Sequence, residues 1–212
     1  MTEERRVFVA VEGVIGVGKT TLARLLQPHF DSELLLEIVE ENPFLSDFYG
    51  DRARYAFQTQ IFFLLSRYRQ QRVAVPAALQ RRHLISDYLL DKDRIFARIN
   101  LTGDEWDMYE RLYEILADRA PRPDLVVYLR ARLEVLMGRI AQRDRSFERA
   151  MEVEYIESLR QVYDAFFTDY DRTPLLTIDT NNLDYVHRPA DLQTVIGAVR
   201  TMIQEGYQRV AL

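Results

Sequence analysis

Eight residues near the start of the chain, Gly13-Val14-Ile15-Gly16-Val17-Gly18-Lys19-Thr20, fit the pattern Gly-x-x-x-x-Gly-Lys-Ser/Thr. The chemistry of that pattern is the binding of a polyphosphate tail. Glycines let successive backbone N–H groups turn inward around phosphate oxygens, and a helix opening at the end of the loop adds partial positive charge at the same spot. Lys19 supplies a mobile point charge for the β- and γ-phosphates, and the Thr20 hydroxyl can reach Mg²⁺. The residues expected to hold a nucleotide's phosphates are therefore Gly13, Gly16, Val17, Gly18, Lys19, Thr20 and Thr21. A tight turn that matches by accident is the alternative, arising in roughly one chain in a hundred at ordinary glycine usage, so the neighbouring elements must decide. Two acids lie at apolar runs of β-prone residues, Glu37 within the end of one and Asp87 closing another, the kind of strand end where open α/β sheets gather ligands.

The elements around these residues alternate. Val7–Val11 is a continuous β-prone run that reads as a buried parallel strand, and beyond the glycine turn Thr20–Leu26 has helical period. Further strands are expected at Leu34–Val39, His83–Asp87, Leu125–Leu129 and Leu175–Ile178. Helices are expected near Arg52–Val73, Arg94–Ile99, Glu105–Asp118, Leu133–Arg143, Val153–Tyr170 and Asp191–Glu205, with Asn42-Pro43 as a turn and Pro121 and Pro123 as breaks. Strands separated by helices imply an α/β fold, a five-stranded parallel sheet with helices on both faces. With no repeat, low-complexity tract or linker, residues 1–212 are expected to form one domain.

Composition narrows the function. The 212 residues are 48% hydrophobic and 29% charged, too apolar for a disordered chain and short enough for a single core. A net charge of −5 offers no general field for a nucleic-acid polymer, though small anions remain suitable partners. The absence of cysteine excludes disulfides, thiolate metal sites and cysteine nucleophiles. The run Val7–Val11 is too brief for a signal segment or a membrane span, so a cytoplasmic enzyme without a membrane partner is expected. His29, His83 and His187 lack ligand spacing and read as structural or surface residues, and Trp106 as packing.

Beside the phosphate loop, preceded by Val11-Glu12, stands Glu37-Ile38-Val39-Glu40-Glu41-Asn42-Pro43. These segments strongly resemble the deoxyribonucleoside kinase family, particularly the bacterial deoxyadenosine and deoxyguanosine kinases, and the resemblance covers nearly the whole chain. It implies a P-loop kinase fold with an arginine-rich LID at about 139–149. It gives Glu37 the role of general base toward a sugar 5′-hydroxyl, the alternative being a glutamate that only pairs with a LID arginine. Asp87 matches the acid of the family's Asp/Glu-Arg-Ser motif, associated with Mg²⁺ or its waters, so Thr20 and Asp87 are the expected metal residues. The motif then departs: Tyr88 and Leu89 follow, and the arginine is missing. Lys92, four residues after Tyr88, can return a cation to that space, or can be a solvated surface lysine.

The resemblance also assigns the acceptor pocket. Tyr49 resembles the tyrosine that bonds the sugar 3′-hydroxyl, and Glu148 its glutamate partner in the LID. Gln60 lies seven residues before Arg67, as the family's base-reading pair does, with Gln58 a competing register. Asp93 matches the acid that pairs with that arginine in purine-preferring members. A fork and an amide suit a purine edge, while a helix-surface ion pair is the alternative. Phe57, Ile61, Phe62, Leu64 and Leu65 read as core or as the interface of a homodimer. Arg139, Arg143 and Arg145 resemble the LID arginines; Arg139 and Arg143, four apart, share a helix face and suit a growing phosphoryl charge. An exposed basic helix end is the other reading. Asp179–Asp184 lies where the family's adenine-contacting loop sits.

The expected activity is ATP-dependent, Mg²⁺-dependent 5′-phosphorylation of deoxyguanosine or deoxyadenosine in nucleotide salvage. A nucleoside monophosphate kinase resembling thymidylate kinase is the nearest rival. A GTP-type switch module would carry Asp-x-x-Gly and Asn-Lys-x-Asp, and neither string occurs; a nucleic-acid motor would need a second domain and a basic track.

Overall fold

The structure, a computed structural model, describes residues 5–39, 41–145, 151–205 and 209–212. Its sheet holds β1 (Phe8–Glu12), β2 (Ser32–Leu35), β3 (His83–Ser86), β4 (Leu125–Arg130), β5 (Leu175–Asp179) and β6 (Arg209–Ala211). The order is β2-β3-β1-β4-β5-β6, with every pairing parallel. Every residue of β1 is buried, as are five of the six in β4, which is why both read as unbroken apolar runs rather than alternating ones. With β3 on one side and β4 on the other, β1 delivers the glycine loop to the middle of the sheet.

The helices are α1 (Lys19–Leu26), α2 (Leu45–Gly50), α3 (Arg52–Leu79), α4 (Asp91–Asn100), α5 (Gly103–Ala117), α6 (Leu133–Arg143), α7 (Val153–Thr168) and α8 (Pro189–Glu205). Asp51 caps α3 by accepting from the Arg54 N–H, satisfying a donor that the first turn leaves free. Helix α6 ends at Arg143 because Asp144 turns left-handed, with φ 48°. Helix α7 lays Tyr163 and Phe167 beneath the sheet, and the Phe167 ring stacks on Tyr128 of β4 at 4.1 Å between centroids.

Several boundaries differ from expectation. The five expected strands are present, and β6 adds a sixth, joined to β5 through Leu175↔Arg209, Leu176↔Val210 and Thr177↔Ala211; three residues are too few to show a period. Strand β2 stops at Leu35, so Glu37 stands beyond the strand rather than in it. Its N–H donates to Asp87 Oδ1 at 2.8 Å instead of to a neighbouring strand. Asp87 likewise follows β3 by one residue. The turn at Asn42-Pro43 is present, helix α2 follows it where no helix was expected, and α3 runs past Val73 to Leu79 with Pro76 inside it. Pro76 is exposed, and so is Arg72, the residue whose carbonyl loses its partner; water can serve that carbonyl while Val75 and Ala78 stay buried.

Candidate active site

The glycine loop is shaped by positions that side chains would disrupt. Gly16 and Gly18 have φ 83° and 106°, in the region that favours glycine. At Gly13, with φ 149°, a Cβ would stand 2.5 Å from the Leu129 carbonyl oxygen. The loop therefore packs its backbone directly on the end of β4. Lys19 Nζ donates to the Gly13 and Val14 carbonyls at 2.6 and 3.2 Å, folding back over the loop. Burial lowers the Lys19 pKa to about 8, helped by Lys92 and opposed by Glu12, Glu37 and Asp87.

Asp87 joins the two halves of the site, accepting from the Thr20 hydroxyl through Oδ2 and from the Glu37 N–H through Oδ1. Glu37 in turn sits between two cations. Arg67 Nε donates to its Oε1 at 2.9 Å, and Lys92 Nζ to its Oε2 at 2.6 Å. Burial pushes the Glu37 carboxyl up, but Arg67 and Lys92 outweigh it and hold the group well below the usual carboxylate range. The same guanidinium pairs with Asp93, which is wholly buried. There burial prevails over Arg67 and raises the pKa to about 7.

Lys92 is thus no solvated surface lysine, and the Arg67–Asp93 pair is not a surface one. Tyr88, where the family motif carries arginine, faces away: its hydroxyl donates to Gln70 Oε1 at 2.7 Å.

A cavity of about 1180 Å³ runs from the glycine loop to α3. It brings together Gly16, Val17, Gly18, Lys19, Thr20, Thr21, Glu37, Tyr49, Gln60, Arg67, Asp87, Lys92, Arg139, Arg143 and Arg145. Gly13 and Asp93 act from behind this lining. Gln60 lines the cavity, while Gln58 is exposed. Arg139 borders the cavity, but its NH1 and NH2 donate to the Val17 and Thr180 carbonyls, each at 3.0 Å, so it braces the loop's flank. Glu148, the expected sugar contact, lies outside the described residues. The exposed rim includes His187, paired with Asp184; His83 accepts from the Val7 N–H, and His29 is exposed.

Three residues escaped the sequence reading. Thr59 lines the cavity with a buried hydroxyl that has no partner, as Gln60 Oε1 also does. Its position one residue before Gln60 was the available signal. Tyr185 packs on the glycine loop, its hydroxyl 2.7 Å from where a Gly18 Cβ would be, in the segment just past the adenine-loop motif. Glu12, fully buried, was visible as an acid ending an otherwise apolar strand.

A sequence model described as deoxynucleoside kinase matches residues 9–204. The chain belongs to this family. As a deoxynucleoside kinase it is 34% identical over 201 residues to the deoxyguanosine kinase of Bacillus subtilis (strain 168), covering 92% of this chain and 97% of that protein. It is 34% identical over 177 residues to the deoxyadenosine kinase of Dictyostelium discoideum, covering 81% and 71%. The kinase also matches the solved structure of deoxyadenosine kinase from M. mycoides with bound dATP, with a TM-score of 0.79 and 26% identity over 92% of this chain and all of that one.

Proposed function

We propose that this kinase transfers the γ-phosphoryl group of ATP to the 5′-hydroxyl of a purine deoxyribonucleoside, deoxyguanosine or deoxyadenosine. The observation that carries this reading is a carboxylate, Glu37, held by Lys92 and Arg67 in the same cavity as the glycine loop. The acceptor end offers donors on Arg67 and unpartnered Thr59 Oγ1 and Gln60 Oε1, a set that suits the mixed donors and acceptors of a purine edge. The relatives' names support the same acceptors.

In the transfer, the 5′-oxygen forms a bond to the γ-phosphorus while the bond to the β-phosphate oxygen breaks and ADP leaves. Glu37 receives the hydroxyl proton. A carboxylate of low pKa accepts it late, after the phosphoryl group has largely departed, and positioning and charge stabilisation lower the barrier most. Lys92 occupies the place of the missing family arginine and steadies Glu37. Arg143 and Arg145 offset charge on the phosphoryl oxygens, and Tyr49 with Glu148 holds the sugar.

Thr20 and Asp87 suit Mg²⁺, which takes oxygen ligands and needs only one or two from protein when phosphates and water supply the rest. Bound there, the ion neutralises phosphate charge.

The kinase acts as a homodimer through α3 and α5, whose outer faces expose Leu65, Val73, Met108 and Ile115. A cytoplasmic setting fits the absence of cysteine; among the described residues no helix is long and apolar enough to cross a membrane.

Purified protein with Mg²⁺-ATP and an equimolar panel of the four deoxynucleosides tests the assignment. Formation of dGMP, dAMP or both is expected. Product only from deoxynucleoside monophosphates would overturn it in favour of a monophosphate kinase.

A further inference from the structure

The two halves of the site sit on different segments. The donor half is the glycine loop after β1, and the acceptor half includes the stretch Asp87–Asp93, which comprises the link from β3 and the first turn of α4. One fully buried side chain touches both. Glu12 Oε1 accepts from the Gly13 N–H at 2.8 Å, and Glu12 Oε2 accepts from the Leu89 N–H at 2.7 Å. A third bond comes from the Tyr163 hydroxyl at 3.2 Å to Oε1. Leu89 stands three residues before Lys92 and four before Asp93, the residues that hold Glu37 and Arg67. Gly13 is the first residue of the loop and carries the carbonyl that Lys19 grips.

A buried acid is expensive unless its charge is answered. Here burial prevails and raises the Glu12 carboxyl above its ordinary value, with Lys19, Lys92 and the two amides pulling the other way. Its immediate partners are backbone amides and a phenol, so its effect on chemistry passes through the backbone it orders. In-line transfer is sensitive to misplacement of about 1 Å between reacting groups. A side chain that ties one amide of each half to one rigid carboxylate limits that misplacement.

We propose that Glu12 is a positioning residue for phosphoryl transfer: it fixes the glycine loop against the segment that bears Lys92 and Asp93, so that the phosphoryl group meets the sugar hydroxyl and not water. The inference rests on the kinase reading of the site. Its distinguishing consequence is a partition. If the two halves lose register, transfer to the deoxynucleoside falls, while hydrolysis of the same bound ATP by water, which needs no fixed acceptor, persists.

The test is Glu12→Gln, which keeps the shape but replaces one acceptor oxygen with an amide that must face a backbone N–H. Both rates are measured on one preparation: deoxynucleoside monophosphate formed with the acceptor present, and phosphate released from ATP without it. The expected ratio of transfer to hydrolysis falls at least tenfold, with ATP and deoxynucleoside each binding alone within about threefold of the parent. Because both rates come from the same folded molecules, the ratio does not depend on the folded fraction. An unchanged ratio overturns the proposal, whether both rates hold or fall together. Should Glu12→Gln not fold, Tyr163→Phe is the second variant, which deletes the third bond and lowers the same ratio by about twofold or more; no change there also overturns it. If the parent protein itself phosphorylates no deoxynucleoside, the fault lies with the kinase reading and not with Glu12.

Discussion

Lys92 Nζ lies 2.6 Å from Glu37 Oε2, and both side chains are more than nine-tenths buried. Tyr88, which stands where the family motif has arginine, bonds Gln70 and not Glu37. Lys92 reaches Glu37 from the first turn of α4.

Replacing Lys92 by Met removes one of the two cations on Glu37 and leaves Arg67. Turnover is expected to fall about 100-fold, the lower end of what acid–base catalysis contributes, with a smaller change in the KM for deoxynucleoside. Lys92→Arg retains part of the rate. Steady-state kinetics of the two variants decide; a Met variant within twofold of the parent removes Lys92 from the mechanism.

How far the sequence foretold this site depends on what each feature rests on. The glycine loop was legible because its spacing encodes backbone conformation directly, and β1 and β4 because full burial leaves an unbroken apolar run. Glu37 was placed in a strand because every other residue of Leu34–Val39 is apolar. Nothing local reveals that its N–H is claimed by Asp87, fifty residues away. The Arg67 contact with both Glu37 and Asp93 was half visible: the family pattern pairs Arg67 with Asp93, but the second bond depends on how α3 crosses the end of β2. Arg139 is the reverse case, since an arginine on a LID face reads as a phosphate ligand until the carbonyls of Val17 and Thr180 are seen in its reach.

The pH profile separates the roles of Lys19 and Glu37. Glu37, held well below the usual range, is ionised through neutrality and gives no acid-side loss above about pH 5. Lys19 is lowered to about 8 by burial first and Lys92 second, so its charged form disappears as pH rises through that value. The kcat/KM for ATP, which reports the free enzyme, is expected to decline above about pH 8 and to lose this decline in Lys19→Arg, whose guanidinium stays charged. Glu37→Gln should bind deoxynucleoside while transfer drops by about 10²–10⁴-fold; full activity in that variant would end the general-base assignment.

Thr59 allows stability and binding to be moved in opposite directions. Ser158, Thr168 and Thr194 each donate to the carbonyl four residues earlier, at 2.8, 2.7 and 3.0 Å. The buried Thr59 hydroxyl makes no such bond and has no partner. In Thr59→Val the free protein is relieved of an unpaired buried group and gains up to about 1 kcal/mol in thermal unfolding. If the hydroxyl meets the base, deoxynucleoside affinity measured by calorimetry falls about five- to tenfold. A variant that is stabilised and binds unchanged would show that Thr59 only packs.

Glycines test the backbone argument, because two of them should respond with opposite sign. At Gly13 an added Cβ meets the Leu129 carbonyl oxygen at 2.5 Å, and that atom belongs to β4 and is not free to swing away. Gly13→Ala must therefore shift either the loop or the strand, at a cost of about 3 kcal/mol, with nucleotide binding lost as the amides turn off target. Gly138 lies exposed in the middle of α6, where a Cβ would meet nothing within 4 Å. Gly138→Ala lowers only the entropy of the unfolded chain, for a gain of about 0.5–1 kcal/mol, or roughly 1–4 °C in Tm for a chain of this length. Calorimetric melting of both variants with and without ATP checks the pair. Equal melting temperatures for the two would mean that the glycine loop does not seat on β4 as described.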